Sequence, residues 1–287
     1  MVFRKKNLSV ILTIPIIFIV SACGVEAGNP DSTKEDDAKI TLKLTDTPVE
    51  TLNHFYVDAK SITIGSAPSI ALPADTTIDV LAYSNGNTLT VLDQQAISPG
   101  QVETITLELV DTASSVRAID KNGEEQKVAV VNKDNSVSNS LVFSGKISLE
   151  AGLTTTALVD VDLRYTLSTL DSEKRKDIGL PEDYVYRLSQ EHTFFKDSTR
   201  GTLDIQNQQN GSLVCITTAG LYKTDDVPTA CVPDGKDIVK GTSIAEDGAA
   251  KIISLEAKFY DIWSIFEDTV SSLGTIEIQK GKVTTVK

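Results

Sequence analysis

The chain is poor in the residues on which most catalysis runs. Its 287 residues include two histidines, three cysteines, one tryptophan and one methionine, and aromatic residues make up 6%. With only His54 and His192 there is no His-Glu-x-x-His zinc pair, and neither a phosphate-binding loop nor a Gly-x-Ser-x-Gly elbow occurs. Hydrolytic machinery built on a nucleophile and a base therefore has no support, the sequence implies no cofactor and no metal centre, and either histidine reads as a packed or surface residue. Positive charge is also scarce, 27 Lys and Arg against 40 Asp and Glu, a net of −13. Such a chain is a poor partner for nucleic acid or for anionic headgroups.

Long apolar runs are missing everywhere except at the start. Arg4, Lys5 and Lys6 precede Leu8 to Val20, an apolar stretch too short to span a bilayer comfortably. A basic start, an apolar middle and small residues before a cut describe a secretory signal peptide over residues 1–22. Val20-Ser21-Ala22-Cys23 resembles the bacterial lipobox, in which cleavage leaves the cysteine as the first mature residue with a lipidated thiol. The plainer alternative is an ordinary signal peptide that happens to contain a cysteine. Acylation of Cys23, with palmitate among the chains, anchors rather than spans. Several chains hold firmly because each buried methylene contributes about 0.8 kcal/mol. Gly24, where Asp is absent, is similar to the outer-membrane sorting pattern of diderm bacteria. Residues 23–38 carry dense charge and no apolar period, and so read as a disordered tether. A flexible coil of about 15 residues reaches roughly 20 Å.

Residues 1–22 hold three of the cations and no carboxylate, so the mature balance is 24 against 40, a net of −16. With Cys23 lipidated, Cys215 and Cys231 remain as an even pair in an oxidising compartment. A bridge between them would close a loop of about 16 residues and stabilise by roughly 3 kcal/mol on the chain-entropy model. Two buried free thiols, or a metal site short of ligands, are the alternatives.

From Lys39 onward the pattern is that of strands. Residues 40–44, 60–64, 102–109, 127–131, 140–149 and 156–163 alternate or run β-branched, with Gly, Pro, Asn and Asp between them. One helix is expected at Leu170 to Ile178, stopped by Gly179 and Pro181. SPGQVETITLEL, EAGLTTTALVDVDL and QKGKVTTVK, starting at Ser98, Glu150 and Gln279, each place a turn glycine before threonine-rich alternation, which is hairpin grammar. Near the end, Leu255, Phe259, Ile262, Phe266, Val270 and Leu273 recur at helical spacing. The β-rich YDIWSI inside that span argues for strand over 258–264, and strand is the expectation adopted.

Carboxylates are the remaining chemical candidates. Asp160 and Asp162 sit two apart in an expected strand, so both would project from one face, about 6–7 Å apart. Such a pair could hold calcium or serve glycoside hydrolysis, but alternation turns Val159, Val161 and Leu163 inward and leaves the aspartates on a wet face. Asp46, in a Thr-Asp-Thr-Pro turn, is expected to cap that turn. Residues 134–139 and Asp225-Asp226 fit no EF-hand spacing. Trp263 and Tyr260 are the aromatic candidates for a glycan contact.

Two stretches resemble known families. Leu44-Thr45-Asp46-Thr47-Pro48, Tyr56-Val57, Ser61-Ile62, IDVLAYSNG at 78–86, ISPGQVETITLEL at 97–109 and VDVDLRYTL at 159–167 resemble, in order, a bacterial lipoprotein family catalogued as domain of unknown function 4382. YVYRLSQEHTFF at 184–195 would be its last strand. The resemblance implies an all-β fold and no activity. TSIAEDGAAKIISLEAKFYDI at 242–262, with its Asp247-Gly248 turn, is similar to the small transthyretin-like sandwich of carboxypeptidase regulatory domains, although Lys258 and Phe259 stand where that family usually has Gly. The expected architecture is all-β. A first β-sandwich domain covers 39–195, a smaller Ig- or transthyretin-like sandwich covers 196–287, and one short helix lies in the connecting region. The expected role is that of a lipid-anchored envelope protein that binds or scaffolds a protein or glycan ligand without catalysis. A carbohydrate-binding module or glycan-directed enzyme is the alternative.

Overall fold

A computed structural model describes residues 36–46, 49, 51–84, 86–111, 114–222, 238–244, 247–267 and 269–287. Cys23, the expected signal peptide, most of the tether, Asp225-Asp226 and Cys231 lie outside the described residues. The chain is all-β, and among the described residues its strands bury two main hydrophobic cores with two smaller clusters beside them.

Alternation builds the first module. In chain order it comprises β1 (Ala38–Thr45), β2 (Leu52–Ile64), β3 (Ile70–Asp79), β4 (Leu89–Ile97), β5 (Gly100–Leu109) and β6 (Val116–Asp120). There follow β7 (Glu125–Val131), β8 (Ser140–Leu149), β9 (Thr154–Asp160), β10 (Leu167–Thr169), β11 (Tyr184–Ser189) and β12 (Glu191–Lys196). Hydrogen bonds link them in the order β10-β11-β7-β6-β2-β5-β8-β12-β9-β1-β4, with β3 beside β2. β2 is long enough to carry two partners end to end on one edge, β6 along Leu52–Val57 and β5 along Ala59–Ile64, while β3 takes the other edge. From that fork two sets of strands diverge and bury their inward faces together, with Phe55, Ile105, Phe143 and Phe194 in the same core as Val116, Val128 and Leu188. Burial at every second residue of β2, from Phe55 through Val57 to Ala59, is what a sheet with one wet face demands.

Two expectations fail at strand ends. The strand foreseen over 156–163 stops at Asp160, and Leu163–Thr166 turns into the single helical turn α1. Asp162 ends the strand because the chain folds back on it: Thr166 N lies 3.2 Å and Thr166 Oγ1 2.8 Å from its carbonyl oxygen, to which both donate. The single last strand foreseen at 184–195 is two. β11 runs parallel to β7, whereas β12 sits between β8, to which it is parallel, and β9. Gln190 makes the break, its backbone N donating to Val131 O while its side-chain amide donates to Ser138 and Ser140. The expected helix is present as α2 (Ser172–Asp177), capped by Asp171, whose side chain accepts from Lys174 N at 2.8 Å. That bond holds the Asp171 carboxyl below its ordinary pKa.

The second module comprises β13 (Gly201–Ile205), β14 (Leu213–Thr218), β15 (Ile238–Ser243), β16 (Ala250–Leu255), β17 (Phe259–Phe266), β18 (Thr269–Glu277) and β19 (Val283–Val286). They form two sheets, β16-β13-β19 and β15-β14-β17-β18. Leu203, Ile205, Val214, Ile216, Tyr260 and Ile262 fill the space between. Strand β17 settles the competition between periods. It is buried on both faces from Tyr260 to Ile265, so its helical spacing of apolar residues reflects continuous burial rather than an amphipathic helix. The three turn glycines read from the sequence, Gly100, Gly152 and Gly281, all have positive φ, of 146°, 72° and 66°, but the hairpins expected there do not form: β4 and β5 are not paired, β12 lies between β8 and β9, and β18 and β19 belong to different sheets.

Candidate functional site

The carboxylates singled out by sequence meet where β1 and β9 end side by side. These strands run parallel with Thr45 opposite Asp160, which brings residues 115 positions apart into register. Asp160 is only 7% exposed, so the wet face expected for it is wrong: the outer face of β9 is covered there. Asp162 lies outside the strand and pairs with Arg164, its two oxygens each 3.4 Å from Nε and Nη2 of the guanidinium. The two aspartates therefore do not share a strand face. Asp46 is 5% exposed, and its Oδ1 accepts from Leu163 N at 3.3 Å, clasping the start of α1 across the module. That long-range bond, rather than a purely local turn cap, is what the burial serves, because a buried carboxylate needs donors. No group of three or more His, Cys, Asp and Glu among the described residues is arranged to hold a metal ion.

His192 closes this region from β12. It is 5% exposed, its ring centroid 5.4 Å from that of Phe143, and neither ring nitrogen makes a hydrogen bond of normal geometry. Burial pushes its pKa down to about 4, opposed by the Asp160 charge and by the Ser189 backbone. The ring is a neutral core residue, as the sequence reading allowed.

The aromatic candidates for a glycan contact are corrected. Trp263 is 4% exposed and Tyr260 fully buried, so neither offers a ring face to a sugar. Trp263 Nε1 donates to Thr217 Oγ1 at 3.0 Å and Tyr260 donates to Glu256 O at 3.2 Å. Burial pushes the Tyr260 hydroxyl up to about 12. Cys215 is likewise buried, opposite Trp263 on the neighbouring strand.

Sequence reasoning missed a polar layer on the outer face of β2. His54, Tyr56 and Asp58 alternate with the buried Phe55 and Val57 and so point the same way. His54 Nδ1 lies 2.7 Å from Asp79 Oδ2, the His54 and Tyr56 rings stack at 5.4 Å, and the Arg117 guanidinium sits 5.2 Å from the Tyr56 centroid. Asp58 in turn accepts from Arg117 and from Thr77 Oγ1. The His-x-Tyr-x-Asp alternation was the available signal, but its partners on β3 and β6 are remote in sequence. His54, Asp79, Tyr56, Arg117, Asp58 and Thr77 thus interlock as one polar face. Elsewhere, a groove of about 510 Å³ opens between the loops after β2 and β4, lined by Ser66, Pro68, Ser98, Pro99 and Asp37.

No curated protein matches the chain. Among solved structures it is similar to the minor pilin of Streptococcus agalactiae, at 12% identity and a TM-score of 0.21, over 86% of this chain and 93% of that one. The Bacillus anthracis TIE protein gives 11%, 0.22, 88% and 73%, and the major pilin subunit of Bacillus cereus 10%, 0.21, 88% and 70%. Scores of this size transfer no function. In sequence, residues 37–177 match the family described as Domain of unknown function (DUF4382), the first of the two resemblances read from the motifs.

Proposed function

We propose that the chain is a lipid-anchored protein of the bacterial cell envelope, sorted to the outer membrane, with a noncatalytic binding or scaffolding role. The observation that carries this reading is Val20-Ser21-Ala22-Cys23-Gly24 behind a basic and apolar leader, followed within 15 residues by the first strand at Ala38. The noncatalytic half draws support from the engagement of the candidate side chains. Asp46 clasps Leu163, Asp162 pairs with Arg164, and His54 with Asp79, which are roles in holding the fold. In the same oxidising compartment Cys215 and Cys231 form a disulfide, which non-reducing peptide mapping would recover as one linked species. The test of the anchor is made in the native host. The amino-terminal peptide carries acyl mass on Cys23, and Cys23→Ser moves the protein from the membrane to the soluble fraction. An unmodified amino terminus on a freely diffusing native protein refutes the reading.

A further inference from the structure

Where the two modules meet, residues of β8, β12, the turn before β13 and the β16–β17 connection line a cleft of about 450 Å³. Its floor follows from register. Ser144 and Thr193 are opposite one another on β8 and β12, so both hydroxyls share the outer face, with Lys146 and Phe195 each two residues further along the same face. Gly145, between Ser144 and Lys146, has no room for a side chain, since a Cβ there would lie 2.1 Å from Phe194 O. Arg200 forms the far wall. Its guanidinium lies 4.8 Å from the Phe195 ring centroid, and Nη1 sits 2.9 Å from Glu256 Oε1. The Arg200 hydrogen bond holds the Glu256 carboxyl below its ordinary pKa.

The charge of this lining runs against that of the chain. Lys146, Lys196 and Arg200 face one carboxylate, Glu256, in a protein with 40 acidic and 27 basic residues. Among the described residues neither Lys146 nor Lys196 has an ion-pair partner. Two unpaired ammonium groups, a pre-positioned guanidinium and two hydroxyl donors around one concavity supply what a tetrahedral oxyanion takes up. We infer that the inter-module cleft binds a phosphate- or sulfate-bearing small molecule, its oxyanion held between Lys146, Lys196 and Arg200 over the Ser144 and Thr193 hydroxyls. The volume leaves space for a sugar-sized group on that anion.

The inference deepens the binding role proposed above but does not depend on the anchor, which is read at Cys23 by mass, so either can fail alone. The test is titration of the purified chain with inorganic phosphate, sulfate and glucose 1-phosphate at constant ionic strength, with chloride as the control. Saturable binding of an oxyanion is expected, weakened roughly tenfold for each lysine removed in Lys146→Ser and Lys196→Ser. Both positions are solvent-accessible, so unchanged melting temperatures will show the variants folded. Tighter binding of glucose 1-phosphate than of free phosphate assigns the remaining space to the sugar, and equal binding assigns the site to the ion alone; both support the inference. Absence of saturable binding by all three anions, or affinities untouched in the double variant, overturns it.

Discussion

Acidification should weaken the first module through one ring. His192 is neutral in the fold, with a pKa of about 4 against 6.5 for the free side chain. The folded value lies below the unfolded one, so between them the unfolded chain takes up a proton that the folded chain refuses. The stability is fully present above pH 6.5, declines as pH falls through the window, and is lost by about pH 4. At about 1.36 kcal/mol per pKa unit the full loss is on the order of 3 kcal/mol, a large share of a domain's net stability. The groups facing the ring set that number: Phe143 from β8 excludes water, while Asp160 from β9 and the Ser189 backbone favour the proton and limit the shift. Urea unfolding followed by circular dichroism from pH 7.5 to 4, in the native chain and in His192→Leu, isolates the effect, because carboxylates such as Asp171 titrate in both. Trp263 lies in the other module, and its fluorescence reports separately on that core. The stability difference between native and variant should shift against the native chain by about 3 kcal/mol across the window. Parallel pH profiles, or a His192 titration observed near 6.5, would refute the reasoning.

Three further outcomes follow from packing. Gly145→Ala forces a methyl onto the Phe194 carbonyl, which is backbone and cannot swing away, so β8 and β12 must part. A melt should show a loss of about 1–3 kcal/mol. Trp263→Ala empties a buried site between β14 and β18 and should cost about 3–5 kcal/mol in denaturant titration, with any change in glycan binding tracking the unfolded fraction. Asp171→Ala removes the cap of α2 and should cost about 1 kcal/mol by the same measurement.

The expected strands over 40–44, 60–64, 102–109, 127–131 and 140–149 all fall within strands of the fold, because a two-residue period with one buried face is a local property of the chain. The turn glycines Gly100, Gly152 and Gly281 and the short capped helix were legible for the same reason, since each depends on residues within four positions of one another, but the hairpins read around those glycines were wrong because strand pairing is set by partners remote in sequence. Strand ends were less so. The break at Gln190 depends on partners remote in sequence, Val131, Ser138 and Ser140, and the turn that follows the stop at Asp160, although closed locally by Thr166 on the Asp162 carbonyl, is also clasped by the remote Asp46.

By itself the sequence determined the export-signal resemblance, the acidic balance and the all-β class, all carried by composition and short-range pattern. Only tertiary structure decided which polar groups are accessible. Parallel pairing of β1 with β9 buries Asp160 beneath neighbours that no spacing rule names, and burial on both faces of β17 removes Trp263 and Tyr260 from the surface. The same long-range pairing assembles Lys146, Lys196 and Arg200 around one cleft from strands and turns that sequence alone leaves apart. Which side chains meet depends on strand order, and strand order follows from which faces can be buried together rather than from any one residue's neighbours along the chain.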